Sequence, residues 1–238
     1  MLYFMLLLGM ISSALVFAAL LDDFNYVRLI QVIQSAAVVT LVFNVVAMLK
    51  QERRRPDLTD HRLARPTFGH AWQDFIDVPR ARSLLWALGL GTMGFTMQDI
   101  LLEPYGAEVL GLSVSDTTLL TALYAGGMIL ALAFTERRLS HGADPIRTAS
   151  TGILIGIVAF TAVILSAPLQ TPGLFQIGAA LIGLGNGLFA VGMLTAAMVF
   201  GGHKMAGLTL GAWGAVQAAA AGVAMFSGGA IRDLVTGW

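Results

Sequence analysis

The sequence predicts an all-α membrane protein, a polytopic helical bundle of about seven transmembrane helices, and three observations carry that prediction. Hydrophobic residues make up 57% of the chain and charged residues 12%, with a mean hydropathy of +0.78, where a soluble domain carries roughly 25% charge. Intervals of about 20 apolar residues, enough to cross a hydrocarbon core about 30 Å thick, recur along the chain. The basic residues gather in a few polar segments between those intervals. Each span is expected to be helical, because an open sheet would leave backbone groups unpaired in lipid.

Met1 to Leu21 is the first expected span. It has no basic start and no small-x-small cleavage site before Asp22, so it reads as a span and not as a secretory signal. Leu29 to Leu49 is the second. Gln31 and Gln34 lie one turn apart near its outer end, with Ser35 adjacent and Asn44 deeper, and such amides most often join helices.

Residues 50–83 form a basic linker. Its first half is rich in Arg and Pro, while "FGHAWQDFIDV" spaces Phe68, Trp72, Phe75 and Ile76 as a surface helix at the membrane interface would.

The third span enters near Leu84 and holds Asp99 as its single charge before Glu103. Pro104 is expected to break that helix and Gly106 to permit a turn, which places Glu103, Tyr105 and Glu108 in an outer loop. The fourth span runs between Asp116 and Glu136. Thr148 to Gly202 contains no Asp, Glu, Lys, Arg or His, too long for one span, and divides at "APLQTPG" into the fifth and sixth. Met205 to Ile231 is the seventh. The organisation is thus a transmembrane hairpin over 1–49, the linker over 50–83 and a five-helix block over 84–238.

Of the 14 Lys and Arg residues, only Arg28 and Arg232 fall on one expected side, and the other twelve fall on the opposite one. The positive-inside rule then places the linker and the N-terminus in the cytoplasm and Trp238 on the periplasmic side of a bacterial inner membrane.

Small residues crowd the later spans. Gly183 and Gly187, Gly207 and Gly211, and Gly152 and Gly156 form small-xxx-small pairs, whose usual role is close helix packing. "GLGTMG", Gly89 to Gly94, matches the dinucleotide fingerprint by letter only, since that motif needs a strand before it and a helix start within it. No catalytic motif is present, there is no cysteine, and none of the four histidines lies inside a span. The chain is therefore expected not to be an enzyme.

Buried polarity supplies the candidate ligand-binding residues: Gln98, Asp99, Glu103, Asn186 and Gln217, with His203 as the imidazole nearest a membrane boundary. Asp99 lies roughly 22 Å along its helix, at 1.5 Å per residue, in the outer third of the membrane. Ionisable groups there face a bundle interior or a wet cavity. Two readings stand side by side: a ligand-binding or proton-linked carboxylate, or a helix-end residue bonded to a neighbouring span together with Gln98.

Three segments, "QDILLEPYGAEVLGLSVSDTTLLTALYAGG" (98–127), "RLIQVIQSAAVVTLVFNVVAMLKQERRRP" (28–56) and "LGAWGAVQAAAAG" (210–222), resemble the PucC/LhaA family. This is the bacteriochlorophyll delivery branch of the major facilitator superfamily, found in phototrophic bacteria. The resemblance implies a partial major-facilitator fold, with residues 1–49 as helices five and six, 84–231 as helices seven to eleven, and helices one to four and twelve absent. It also implies an assembly factor for photosynthetic complexes. Transient bacteriochlorophyll would be its ligand, and light-harvesting and reaction-centre polypeptides and membrane lipid its partners. No nucleic-acid partner is expected. "FTERRLSHGADPIR", 134–147, matches the facilitator signature loop only loosely. The alternatives are a proton-coupled transporter of a small organic solute or tetrapyrrole, with Asp99 as coupling group, and a structural subunit that binds pigment passively.

Overall fold

Proline, glycine and charge set the helix boundaries of this chain. The computed structural model describes residues 26–49, 67–112 and 114–236, with the single positions Gly9 and Val16 besides. Among them the regular structure is helical throughout: α1 Tyr26–Met48, α2 Phe68–Asp77, α3 Ala81–Thr96, α4 Gln98–Val109, α5 Val114–Ser140, α6 Pro145–Ser166 and α7 Pro172–Thr236. Five stretches are long and apolar enough to cross a membrane: Ile30–Met48, Leu119–Ser140, Pro145–Ser166, Pro172–Gly201 and Met205–Leu234. The chain is an all-α, multi-pass membrane protein. The expected first span, Met1 to Leu21, lies outside the described residues, as does the Arg-rich half of the linker.

The joints follow local chemistry. α5 ends in a Schellman motif: Gly142 takes φ 82°, Ala143 N–H donates to Arg138 O at 3.1 Å, and Gly142 N–H to Leu139 O at 3.0 Å. Asp144 then caps α6, its Oδ1 accepting from Ile146 N–H at 2.8 Å with Pro145 in the first turn. The break at "APLQTPG" repeats the device. Thr171 N–H donates to Ser166 O and Gln170 N–H to Ala167 O, both at 3.1 Å, with Gln170 at φ 50° and Pro172 opening α7.

α7 is 65 residues long, which if straight would extend about 98 Å. It does not stay straight. A Cβ on Gly201 would lie 3.1 Å from Cα of Ala206 and 2.7 Å from Oγ1 of Thr209, whereas residues eight apart in a straight helix are separated by about 12 Å. The helix therefore folds back near 202–204 into a first arm, Pro172–Gly201, and a second arm, Met205–Leu234.

One expectation is corrected. Pro104 does not end the helix: it lies inside α4, and Glu103, Tyr105 and Glu108 are helical residues, not loop residues. The irregularity falls earlier, at Met97, which keeps right-handed helical angles and donates its N–H to Met93 O at 3.1 Å. Proline removes one backbone donor, but leaving the helix in an apolar setting would unpair several groups, so continuing is cheaper.

Residues up to Arg65 form one compact unit and those from Pro66 onward another. In the first, α1 is described by itself; its Asn44 amide donates to Thr40 O at 2.8 Å and so satisfies its own helix. In the second, α2 packs against α3 and α7. Phe75 is buried, its ring centroid 6.1 Å from that of Phe200, in a cluster with Ala81 and Ala212, while Phe68 is exposed.

The rest of the second unit surrounds the first arm of α7. Phe189 on that arm meets Phe95 of α3 at 5.7 Å between centroids, and Leu88, Ala149, Ala159, Ile182 and Met193 complete the cluster. Backbone meets backbone where side chains are absent: Gly183 lies against the Tyr124 carbonyl of α5, and Gly152 of α6 against the Gly185 carbonyl. Gly187 faces Ala131 and Met128. Gly207 and Gly211 differ from their sequence expectation as packing glycines. A Cβ at either meets nothing within 4 Å, and both residues are exposed.

This contrast gives a direct test. Gly183→Ala should lower the thermal unfolding midpoint in mild detergent, costing on the order of 1–3 kcal/mol, because a carbonyl cannot move aside as a flexible side chain can. Gly207→Ala should leave the midpoint unchanged or raise it, since alanine is favoured over glycine in an unobstructed helix by about 1 kcal/mol.

Candidate functional site

The polar residues of the bundle converge where α4, α5 and the first arm meet. Glu103 Oε1 accepts from Thr121 Oγ1 at 2.9 Å, and one turn earlier Asp99 lies close enough for its charge to act on the Tyr124 hydroxyl. Asp99 and Glu103 are four residues apart and so share a helix face; Thr121 and Tyr124 are three apart on the facing helix. Tyr124 OH in turn accepts from Asn186 Nδ2 of the first arm at 2.5 Å.

Gln98 completes the group. It is buried, its Nε2 donates to Asp99 Oδ1, and its Oε1 is buried without a hydrogen-bond partner. Asp99 and Glu103 are exposed on the chain's surface, while Tyr124 and Asn186 are half-buried. The arrangement therefore offers two outward carboxylates, one of them held by an amide, backed by a phenol and a second amide. Beyond it, at the end of α4, Glu108 Oε1 and Arg232 Nη2 form an exposed ion pair at 3.0 Å that ties α4 to the second arm. An exposed pair of this kind contributes roughly 0–1 kcal/mol.

The structure thus brings together Gln98, Asp99, Glu103 and Asn186. It does not add Gln217. Val216 lies against Gly89 and Gly228 against Met97, so Gln217 sits on the second arm about 16 Å, eleven residues, from the level of the polar group. The side chain of His203 lies outside the described residues. Tyr124 and Thr121 had not been singled out in the sequence. Tyr124 carried a usable signal, since a lone phenol in an apolar span needs a partner for its hydroxyl.

The "GLGTMG" stretch lies inside α3, where Gly91 accommodates the Phe189 ring and Gly89 meets Val216, so it is a helix interior and not a phosphate loop. No group of three or more potential metal ligands of the His, Cys, Asp and Glu kinds occurs among the described residues.

Comparison with known proteins follows the same lines. The family model described as PUCC protein matches residues 1–238. The chain belongs to the PUCC protein family. "Protein PucC" of Rhodovulum sulfidophilum is 48% identical over 238 residues, covering 99% of this chain and 52% of that protein. The "Uncharacterized protein in puhA-bchM intergenic region" of Rhodobacter capsulatus is 48% identical over 236 residues, covering 99% of this chain and 50% of that protein. The more distant "Bacteriochlorophyll synthase 44.5 kDa chain" of Rhodobacter capsulatus is 28% identical over 247 residues, covering 98% and 55% respectively. The chain spans about half the length of the curated relatives it matches. No solved structure matches it.

The Tyr124–Asn186 bond predicts a double-mutant signature. Tyr124→Phe alone should destabilise the protein by about 1–3 kcal/mol by stranding the Asn186 amide. Tyr124→Phe combined with Asn186→Leu should recover part of that loss, as read from thermal midpoints of the four proteins in one detergent.

Proposed function

We infer that this chain takes part in assembling bacterial photosynthetic complexes, binding bacteriochlorophyll at the Asp99 group and passing it to light-harvesting or reaction-centre polypeptides without chemical change. What carries the reading is an outward carboxylate, oriented by Gln98, in a membrane bundle of the PUCC protein family. The name of one relative, the bacteriochlorophyll synthase 44.5 kDa chain, agrees with a tetrapyrrole ligand.

The residues present fit such a ligand. Magnesium is a hard ion that takes oxygen donors, and Asp99 supplies an exposed carboxylate beside apolar helix surface. Asp99 would hold the metal. The Gln98 amide fixes one carboxylate oxygen and leaves the other open, and a ligating carboxylate restrained in this way binds better than a free one. Tyr124 and Asn186 would border the macrocycle, and the exposed apolar faces of the bundle would meet its hydrocarbon tail. The bound group supplies the pigment; the chain supplies a ligand and a lipid-facing surface. In this reading the membrane is the bacterial inner membrane and the Arg-rich end of the bundle faces the cytoplasm.

The test is the absorption spectrum of tagged protein purified in mild detergent from a bacteriochlorophyll-making host. Wild type is expected to carry pigment that Asp99→Ala loses at least tenfold. Pigment kept in full by the variant would remove Asp99 from the site, and a colourless wild type would overturn pigment binding and favour a solute carrier.

A further inference from the structure

A second feature, on α3, shares no residue with the polar group. Between α3 and the second arm runs an open groove of about 550 Å³, lined almost wholly by apolar atoms. Its floor is kept low by small residues, Gly89 on α3 and Ala219 and Ala220 on the second arm. Trp86 and Val223, 71% and 54% exposed, form its rims. Among the described residues Arg82 is the only charged one that lines it, at the end where α3 begins.

That end is at a membrane surface. Arg82 follows α2, whose Phe68 and Trp72 give it an aromatic edge, and Trp at this position suits the interface. From Arg82 to Met93, the last lining residue on α3, is eleven residues or about 16 Å of helix. One leaflet of a hydrocarbon core about 30 Å thick is about 15 Å deep. The groove therefore begins at headgroup level and ends near the bilayer centre.

We propose that this groove is a binding site for one anionic phospholipid, its acyl chain lying along Gly89, Ala219 and Ala220 and its phosphate on Arg82. Charge complementarity selects that occupant over others. Arg82 is exposed and forms no ion pair with a described carboxylate, so an anionic headgroup supplies the missing charge. A zwitterionic headgroup would bring its own cation to the same place and gain less. A second apolar groove, lined by Leu130, Phe134, Ile155 and Leu188, also ends at an arginine, Arg138, but that guanidinium is already stacked 5.5 Å from the centroid of Phe134. It provides a matched control with the same charge at the same end of the bundle. The proposal is independent of the pigment reading, because it uses none of the residues of the Asp99 group.

Trp86 is a built-in probe. The intact chain is reconstituted into phosphatidylcholine bilayers containing a minor fraction of either phosphatidylglycerol or phosphatidylcholine with brominated acyl chains. Quenching due to Trp86 is obtained by difference from Trp86→Phe. Wild type should be quenched with about fivefold preference for the brominated phosphatidylglycerol, the factor that one arginine near a membrane surface supplies. Arg82→Gln should lose that preference and Arg138→Gln should keep it. Ala219→Phe, which fills the groove from an exposed position, should remove the preference and leave only unselective quenching of the exposed indole by surrounding lipid, with the fold intact by circular dichroism. Equal quenching by the two lipids in wild type would overturn the site as a nonselective lipid annulus. Absence of Trp86 quenching by either lipid would overturn it as well, showing that protein covers the groove. A preference unchanged in Arg82→Gln would overturn the headgroup contact.

Discussion

The close approach of backbones around the first arm of α7 is the constraint on which the second unit depends. In lipid, apolar side chains gain little by leaving one hydrocarbon surface for another, so helices associate through packing and interhelical hydrogen bonds. The first arm meets that requirement on several faces at once. Gly178, Gly185 and Gly192, seven residues apart, face Val163, Gly152 and Ala149 of α6 in turn. Gly183 and Gly187 face α5, and Phe189 fills the space left by Gly91 of α3. Asn186 lies between Gly185 and Gly187, so the closeness that those glycines allow is what brings its short amide within reach of Tyr124. The candidate site thus depends on packing geometry: a side chain at Gly183 or Gly187 would push the first arm away from α5 and lengthen the Asn186–Tyr124 hydrogen bond.

Five of the seven expected spans were legible in the sequence because charge and proline speak locally; the first lies outside the described residues, and the third, from Leu84, is divided at Met97 into α3 and α4. The fold-back of α7 near Lys204 and the joint at Ser166 to Pro172 fall where those residues put them. Pro104 misled for a physical reason: its rule is a cost, and an apolar environment raises the cost of the alternative above it. The small-xxx-small pairs identified glycines but not their neighbours. Gly183 and Gly187 meet α5, while Gly207 and Gly211, with the same spacing, meet no described element. The seven-residue series at 178, 185 and 192 escaped notice because it becomes visible only when α6 is laid beside it. α2 is a similar case. Its spacing announced an amphipathic helix, but only the structure shows that Phe75 inserts against Phe200 and Ala212.

Four of the six residues of the candidate site could be read before any helix was paired. Gln98, Asp99, Glu103 and Asn186 stood out as polar residues among apolar ones. Thr121 and Tyr124 did not, because a hydroxyl in a membrane helix usually returns to its own backbone, as Thr161 does to Ile157 O and Thr195 to Val191 O, both at 2.8 Å. Whether a hydroxyl serves its own helix or a neighbour depends on the register between helices, and a single sequence does not encode that register in any short pattern. Gln217 fails for the same reason in reverse. It is polar and half-buried, but the pairing of Val216 with Gly89 fixes it at the wrong level.

The helical path from α3 into α4 shows how one segment can serve three surfaces without mixing their chemistry. Leu88, Thr92 and Phe95, spaced four and three apart, are buried, with Leu88 and Phe95 in the cluster around the first arm. Trp86, Gly89 and Met93, spaced three and four apart, line the groove beside the second arm. Asp99 and Glu103 turn toward α5. The irregular residue Met97 lies between the second set and the third, where Gly228 lets the second arm come against its carbonyl. A carboxylate at the Met93 end of the groove, far from Arg82, would carry a desolvation cost of a few kcal/mol with no described partner to offset it. Past Met97, Asp99 finds the Gln98 amide, and Glu103 finds the Thr121 hydroxyl. The change of face at Met97 separates an apolar surface suited to lipid from a polar edge suited to a ligand, and it does so within a single helical run.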